Sequence, residues 1–350
     1  MNDSSPLPAS TQAPATPAND AGAGLPPGFV WPGVDGCVAC VDVGGTKVAV
    51  SLLDALGVRA RRTEPTATQG APDALGQQIV RLIDACAAQA GVAPDRIARV
   101  GVSSCGPFVL RDGGVELAAP NICGGLAGPA RGLPNDWTSA ALEAPLRQRF
   151  ADVRVANDGI GALQAERRWG ALRDAAGRPL DHCAYVTWST GIGTGVCVDG
   201  RVLRGKNGNA GHAGHIFVSD DATALCGCGN RGDVESLIAG NAIGRRLGDQ
   251  GYADAAALFA AADAGDARAQ ALIDDLCRVM GRMLYALIAT LDLERISLGG
   301  SVYWHHRDAL LPRLRAAVAA HLPPLTQGCT LVSAGLGLRV GDFGALALVV

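Results

Sequence analysis

A chain of 350 residues, 48% hydrophobic and 18% charged, carries enough apolar material for a large core and enough length for two domains. Its formal net charge of -3 comes without any basic block, which argues against a surface that displaces counterions from a nucleic-acid backbone. No run reaches the roughly 20 apolar residues that cross a bilayer, and the 11 cysteines lack the spacing of a secreted scaffold, so a cytoplasmic protein is expected.

Residues 1–33 are rich in Pro, Ala, Ser, Thr and Gly, and the first basic residue is Lys47. Without the basic start and apolar run of a signal peptide, they read as a disordered N-terminal tail. Cys37 to Val43 is an apolar strand, Gly44-Gly45-Thr46-Lys47 turns it, and Val48 to Leu53 returns, which makes a hairpin and not the strand-to-helix order of a Walker loop. Cys37 and Cys40 stand at an odd separation on that strand, so their side chains point to opposite faces and pack in the core instead of sharing a metal. Leu75 to Gln89 has a helical apolar period, and Arg99 to Ser103 is a short buried strand leading into Ser104-Cys105-Gly106-Pro107. Leu117 to Trp137 reads as a loop containing Asn121, and Trp137 to Phe150 reads as helix.

Val153 to Ala156 is a strand that delivers Asn157-Asp158 at its end, and Ile160 to Trp169 continues as a helix. A carboxylate at the C-terminal edge of a strand is a common site geometry in α/β proteins. The other role for Asp158 at this place is the helix N-cap. The second half repeats the opening design, with a strand over Cys183 to Thr187, a turn through Ser189-Thr190-Gly191-Ile192-Gly193-Thr194-Gly195, and a strand to Val198. Further on, Met280, Met283, Leu284, Leu287, Ile288 and Leu291 form a core-facing helical stripe before a strand over Arg295 to Leu298 and Gly299-Gly300.

Glycine turns let backbone amides approach phosphate oxygens with no Cβ in the way. Two such turns, one per half, suggest related lobes that hold phosphates from opposite sides. Phosphoryl transfer to a hydroxyl needs chiefly positioning, charge stabilisation and one carboxylate to take the proton, and Asp158 fits that need. His215, followed by Cys226 and Cys228 in a Cys-x-Cys spacing, points to a metal.

These stretches, Asp42 to Lys47, Asn157-Asp158, Ser189 to Gly195, Gly211-His212-Ala213-Gly214-His215 and Gly299-Gly300, resemble the ROK family (repressors, open reading frames, kinases) over roughly residues 37 to 350. The resemblance implies an α/β, two-lobed actin-like ATPase (ribonuclease H-like) fold with ATP and substrate in the interlobe cleft. An N-terminal lobe over 34–156, with 338–350 packing on it, and a C-terminal lobe over 157–337 are expected, together with a homodimer. It further implies Mg2+ near Asp42 and phosphates near Gly44, Gly45, Thr46, Lys47, Thr190, Gly191 and Gly193, with Gly299 and Gly300 on the adenosine side. Asp158 would act as base, and Asn121, Asn157, His215 and Glu235 would meet the polyhydroxylated substrate.

The family's zinc module falls on 215–235, where its third Cys is Asp233 in this chain. A carboxylate is an acceptable zinc ligand, so His215, Cys226, Cys228 and Asp233 are expected to hold a structural Zn2+, the alternatives being loss of zinc or His212 as fourth donor. Two further departures stand in the substrate region. Ile160 replaces the family's usual Asn, and His212 replaces a Glu that binds hydroxyls at the anomeric end. A neutral imidazole donating where a carboxylate accepts would change selectivity. The expected activity is ATP-dependent phosphorylation of a primary hydroxyl on a hexose or a hexose-like cyclitol. The alternatives are a cyclitol kinase of a natural-product pathway and a sugar-binding ROK regulator. The Pro/Ala-rich segment before the first strand argues against the regulator's winged helix-turn-helix.

Overall fold

The computed structural model describes residues 24–31, 33–127 and 132–350. Its frame is two five-stranded sheets. The first takes the order β3-β2-β1-β4-β8, with β1 (Cys37–Val43), β2 (Lys47–Asp54), β3 (Gly57–Pro65), β4 (Ile97–Ser104) and β8 (Val153–Asn157). The second takes the order β11-β10-β9-β12-β13, with β9 (Cys183–Trp188), β10 (Ile192–Val198), β11 (Arg201–Val202), β12 (Arg295–Gly299) and β13 (Thr330–Ser333). A small meander of β5 (Phe108–Arg111), β6 (Gly114–Leu117) and β7 (Ala140–Ala141) forms a third sheet.

Both five-stranded sheets put an antiparallel glycine-turn hairpin beside parallel strands. In the first, Val43 pairs with Val48 across the turn, while β1 runs parallel to β4 and β4 to β8. In the second, Trp188 pairs with Ile192, while β9 runs parallel to β12 and β12 to β13. Central strands are covered on both faces, which is why β1 is an almost unbroken apolar run. Cys37 and Cys40 accordingly fall in different core clusters. The helix Ala267–Leu291 buries Met280, Met283, Leu284, Leu287 and Ile288 in the core of the second sheet. Among the described residues no helix is long and apolar enough to cross a membrane.

Two local expectations change. Trp137 to Phe150 is helical only over Glu143–Arg147, because Ala140 and Ala141 pair with Leu117 and Glu116 of β6 instead. Of the tail expected over 1–33, residues 1–23 and 32 lie outside the described residues, but the end of that segment is packed. Leu25, Phe29 and Trp31 rest on the core beside the helix Asp158–Trp169, with the Phe29 ring 5.6 Å from Trp169. Large apolar side chains within a Pro-rich segment give it surface to bury.

The helix Asp158–Trp169 joins the first sheet to the second, and the chain returns through residues 334–339 into the helix Val340–Val349, which lies on β1, β4 and the Asp158 helix. Glu166 ties the two connections together. Its fully buried carboxylate accepts the N–H groups of Ala171 at 2.8 Å, Gly335 at 3.0 Å and Leu336 at 2.9 Å, and the Ser297 hydroxyl at 3.0 Å. Glu166→Leu strands all four donors and is expected to cost on the order of 3 kcal/mol or more, each orphaned buried group contributing about 1–3 kcal/mol. Urea unfolding measures the loss, and a change below about 1 kcal/mol would remove Glu166 from this role.

Candidate active site

β8 delivers Asn157 at its end, where the backbone turns into the helix. Asn157, not Asp158, is the cap: its Oδ1 accepts the Gly159 N–H at 3.0 Å. Asp158 therefore opens the helix with Oδ1 2.8 Å from the same N–H, and its Oδ2 has no protein partner among the described residues. Burial raises the Asp158 carboxyl to about 6; the Gly159 N–H opposes the rise, and the charges of Asp42 and Glu235 add to it.

Around Asp158 lies a cleft of about 530 Å³, within the range of small-molecule sites. The first glycine turn lines it with Gly44, Gly45, Thr46 and Lys47, and the second with Thr190, Gly191 and Gly193. The first turn is closed by the Gly44 N–H on the Lys47 carbonyl at 2.9 Å, and the Thr66 hydroxyl holds the Gly44 carbonyl at 2.7 Å. Asn121 lies directly on Gly45, where a Cβ would fall 1.9 Å from the Asn121 amide nitrogen. Glycine at 45 thus admits the side chain that shares the cleft with Asn157 and Asp158.

His212, His215 and Glu235 form a further wall of the cleft, Glu235 lying against Gly191 of the second turn. His212 Nδ1 is 3.0 Å from the Asn209 carbonyl, which only accepts, so Nδ1 carries the hydrogen. Burial lowers the His212 pKa below its ordinary value, which keeps the ring neutral near pH 7. Its Nε2 is then a lone-pair acceptor, which corrects the expectation of a donating imidazole. The ring sits against Gly106, where a Cβ would come within 2.8 Å of Nε2. Glu235 Oε2 accepts the Ile192 N–H at 2.9 Å, linking its loop to the second glycine turn.

Beneath this wall His215, Cys226, Cys228 and Asp233 converge, with one ligand atom from each within 4.8 Å of the others. His215 Nδ1 is 3.1 Å from Asp233 Oδ2, 3.8 Å from Cys226 Sγ and 3.6 Å from Cys228 Sγ, and Cys228 Sγ is 3.7 Å from Asp233 Oδ2. Bonds of zinc length, about 2.0–2.3 Å, give a tetrahedron edges of about 3.3–3.8 Å, so the donor set fits such an ion. His212 is not among the four converging residues. Asp233 uses its other oxygen to cap the helix Val234–Ile238, accepting the Ser236 N–H at 2.8 Å, a contact that a Cys thiolate would not make as well.

Several expected residues do not line the cleft. Asp42 lies behind the first turn, its carboxyl raised by burial and by Asp342. Gly299 and Gly300 are also absent from the lining and have a packing reason to be glycine: a Cβ would meet the Tyr185 hydroxyl oxygen at 2.5 Å and the Thr187 Oγ1 at 2.5 Å, respectively. Gly106 and Ser189, from stretches already noted in the sequence, also line the cleft, and Asn241 does so without having been singled out. Asn209 was passed over as well; its only local signal is a place between glycines three residues before His212.

The ROK family model matches residues 38–350. The chain is 32% identical to an N-acetylmannosamine kinase of Citrobacter koseri over 269 residues, covering 75% of this chain and 82% of the relative. Among solved structures it is similar to a ROK hexokinase from Thermus thermophilus, with 29% identity, a TM-score of 0.67, and coverage of 89% of this chain and 97% of that one. It is also similar to a ROK glucokinase from Streptomyces griseus solved with glucose and AMPPNP, with 26% identity, a TM-score of 0.64, and coverage of 89% and 98%.

Proposed function

The chain belongs to the ROK family and is an ATP-dependent sugar kinase, and from that premise we propose that it phosphorylates a primary hydroxyl of a hexose, with the 2-acetamido sugar N-acetylmannosamine as the leading acceptor. One observation carries this reading: Asp158 shares a single cleft with two glycine turns and with the polar side chains of Asn121, Asn157, His212 and Glu235. The acceptor oxygen attacks the γ-phosphorus, the bond to the bridging oxygen breaks to release ADP, and the acceptor's proton passes to Asp158. Amides of the glycine turns, with Thr46, Lys47 and Thr190, hold the phosphates.

Mg2+ bound with the nucleotide would neutralise phosphate charge, and Asp42, which does not line the cleft but stands near enough to Asp158 for their charges to interact, would supply negative charge on that side. His215, Cys226, Cys228 and Asp233 would hold Zn2+ as a structural brace for the loop that carries Glu235. N-acetylmannosamine leads because that is the substrate in the name of the curated relative. It also suits His212, whose neutral Nε2 accepts from an N–H or O–H without the charge of a carboxylate.

An ADP-release assay over N-acetylmannosamine, N-acetylglucosamine, mannose, glucose and cyclitols tests the assignment. We expect kcat/KM for N-acetylmannosamine to exceed that for glucose at least about tenfold, the scale of one rearranged buried hydrogen bond. Equal or faster turnover of glucose would make the protein a general hexokinase, and fastest turnover of a cyclitol would make it a cyclitol kinase. Sugar binding with no ADP release would move it to the regulators.

A further inference from the structure

The loop between β11 and His212 makes a contact that the phosphoryl-transfer chemistry does not require. Asn209, on that loop, reaches across to Phe108 at the start of β5. Its Oδ1 accepts the Phe108 N–H at 2.7 Å, and its Nδ2 donates to the Phe108 carbonyl at 2.7 Å. β5 is an edge strand, paired only with β6 among the described residues, so the Asn209 amide occupies an open backbone edge as another strand would. Phe108 is a firm anchor, 2% exposed and packed in the core of the first sheet. Asn209 belongs to the segment that follows the second sheet's hairpin, so this pair of hydrogen bonds ties that segment to β5, next to Gly106 and Pro107 of the cleft lining.

The same residue sets the state of His212. Its backbone carbonyl takes the Nδ1 hydrogen, and a neutral imidazole has only one. Nε2 has no protein partner among the described residues and belongs to a ring that lines the cleft.

We propose that Asn209 is a positioning residue: by pairing with Phe108 beside the cleft it holds His212 in the Nδ1–H tautomer, so that Nε2 is a hydrogen-bond acceptor that selects sugars presenting an N–H or O–H donor there. The selective step rests on the sugar-kinase reading above; the tautomer does not. Without the side-chain pairing the loop loses its anchor, its carbonyl moves off Nδ1, and the ring is free to adopt the Nε2–H form, which presents a donor to the ligand. The reacting atoms are untouched, so the loss falls on acceptor binding.

The test reads the tautomer directly. Nitrogen–proton correlation spectra of the full chain with labelled histidine, with the His212 signals identified by their absence in His212→Gln, are expected to show hydrogen on Nδ1 in the wild type and a shift toward Nε2–H in Asn209→Ala. In ADP-release assays with N-acetylmannosamine, Asn209→Ala should raise acceptor KM about tenfold or more while kcat and the KM for ATP change less than about threefold. Asn209→Asp keeps the volume and the acceptor for the Phe108 N–H, and should fall between the two proteins in both readouts even if the Ala variant folds poorly. Hydrogen on Nε2 in the wild type overturns the proposal, as does Asn209→Asp with unchanged tautomer and unchanged acceptor KM. If the wild type turns over no sugar, the function assignment fails on its own while the spectra still decide the role of Asn209.

Discussion

Asp158→Asn is expected to lower turnover by about 10²–10⁴-fold, the usual scale for loss of a general base, while leaving nucleotide binding nearly intact. The amide keeps the size of the carboxylate and can still accept the Gly159 N–H, but it cannot take a proton from the attacking hydroxyl. The pH dependence identifies the same group. Burial holds the Asp158 carboxyl at about 6, and only its ionised form is a base, so kcat/KM should rise with pH through a limb near 6 in the free enzyme. In the Asn variant that limb should vanish. Stability runs the other way. A carboxyl whose folded pKa is raised from 3.8 favours the folded state while protonated and loses that advantage as pH climbs toward about 6. Above that pH the Asn variant should therefore melt no lower than the wild type, which separates lost chemistry from lost folding. Near-normal turnover in Asp158→Asn at saturating substrates would take this residue out of the catalytic step.

Purified protein is expected to carry about one zinc per chain, and Cys226→Ser is expected to lose it together with much of the order in the loop through Glu235. Cys226 is buried at the base of the four-residue cluster, and its Sγ lies 3.6 Å from Glu235 Oε1. Removing the metal therefore disturbs a side chain that lines the cleft. Acceptor KM should rise about tenfold or more, with a smaller effect on the KM for ATP, because the first glycine turn stands on the other sheet. Metal analysis and melting with and without a chelator measure the rest. Asp233→Cys should hold the metal longer against the chelator, since a thiolate suits zinc better than a carboxylate. Fully active, equally stable protein with no zinc would show that the His215–Asp233 pair braces the loop by itself.

Much of this arrangement is local in the chain, and what is local is legible. An apolar run closed by Gly44-Gly45 reads as a hairpin because strand and turn chemistry are contiguous, and β1 and β2 form it. The strand ending at Asn157-Asp158 and the helix after it follow from a change of apolar period, although which residue caps the helix depended on backbone angles at the junction. The Cys-x-Cys spacing and the nearby His215 likewise announce a donor cluster within a couple of dozen residues. Where reading by period failed, at Trp137 to Phe150, a distant strand, β6, offered pairing partners for Ala140 and Ala141 that the segment itself does not reveal.

The two glycine turns, the carboxylate at a strand end, the metal-type cluster and the apolar faces are readable from the chain alone, because they are contiguous or periodic patterns whose chemistry acts over a short stretch. Tertiary structure alone decided the rest. Glu166 meets donors at 335 and 336, and Asn209 meets Phe108, across separations of more than 100 residues. Gly299 and Gly300 are held to glycine by Tyr185 and Thr187, which leave no room for a Cβ. His212 became an acceptor because a backbone carbonyl took its one hydrogen. Apart from the His212 bond, which is local but lies on a loop that Phe108 anchors from afar, these contacts join groups far apart in the chain, and neither end repeats, so no period or spacing records them; only the packing of distant segments brings the partners within reach.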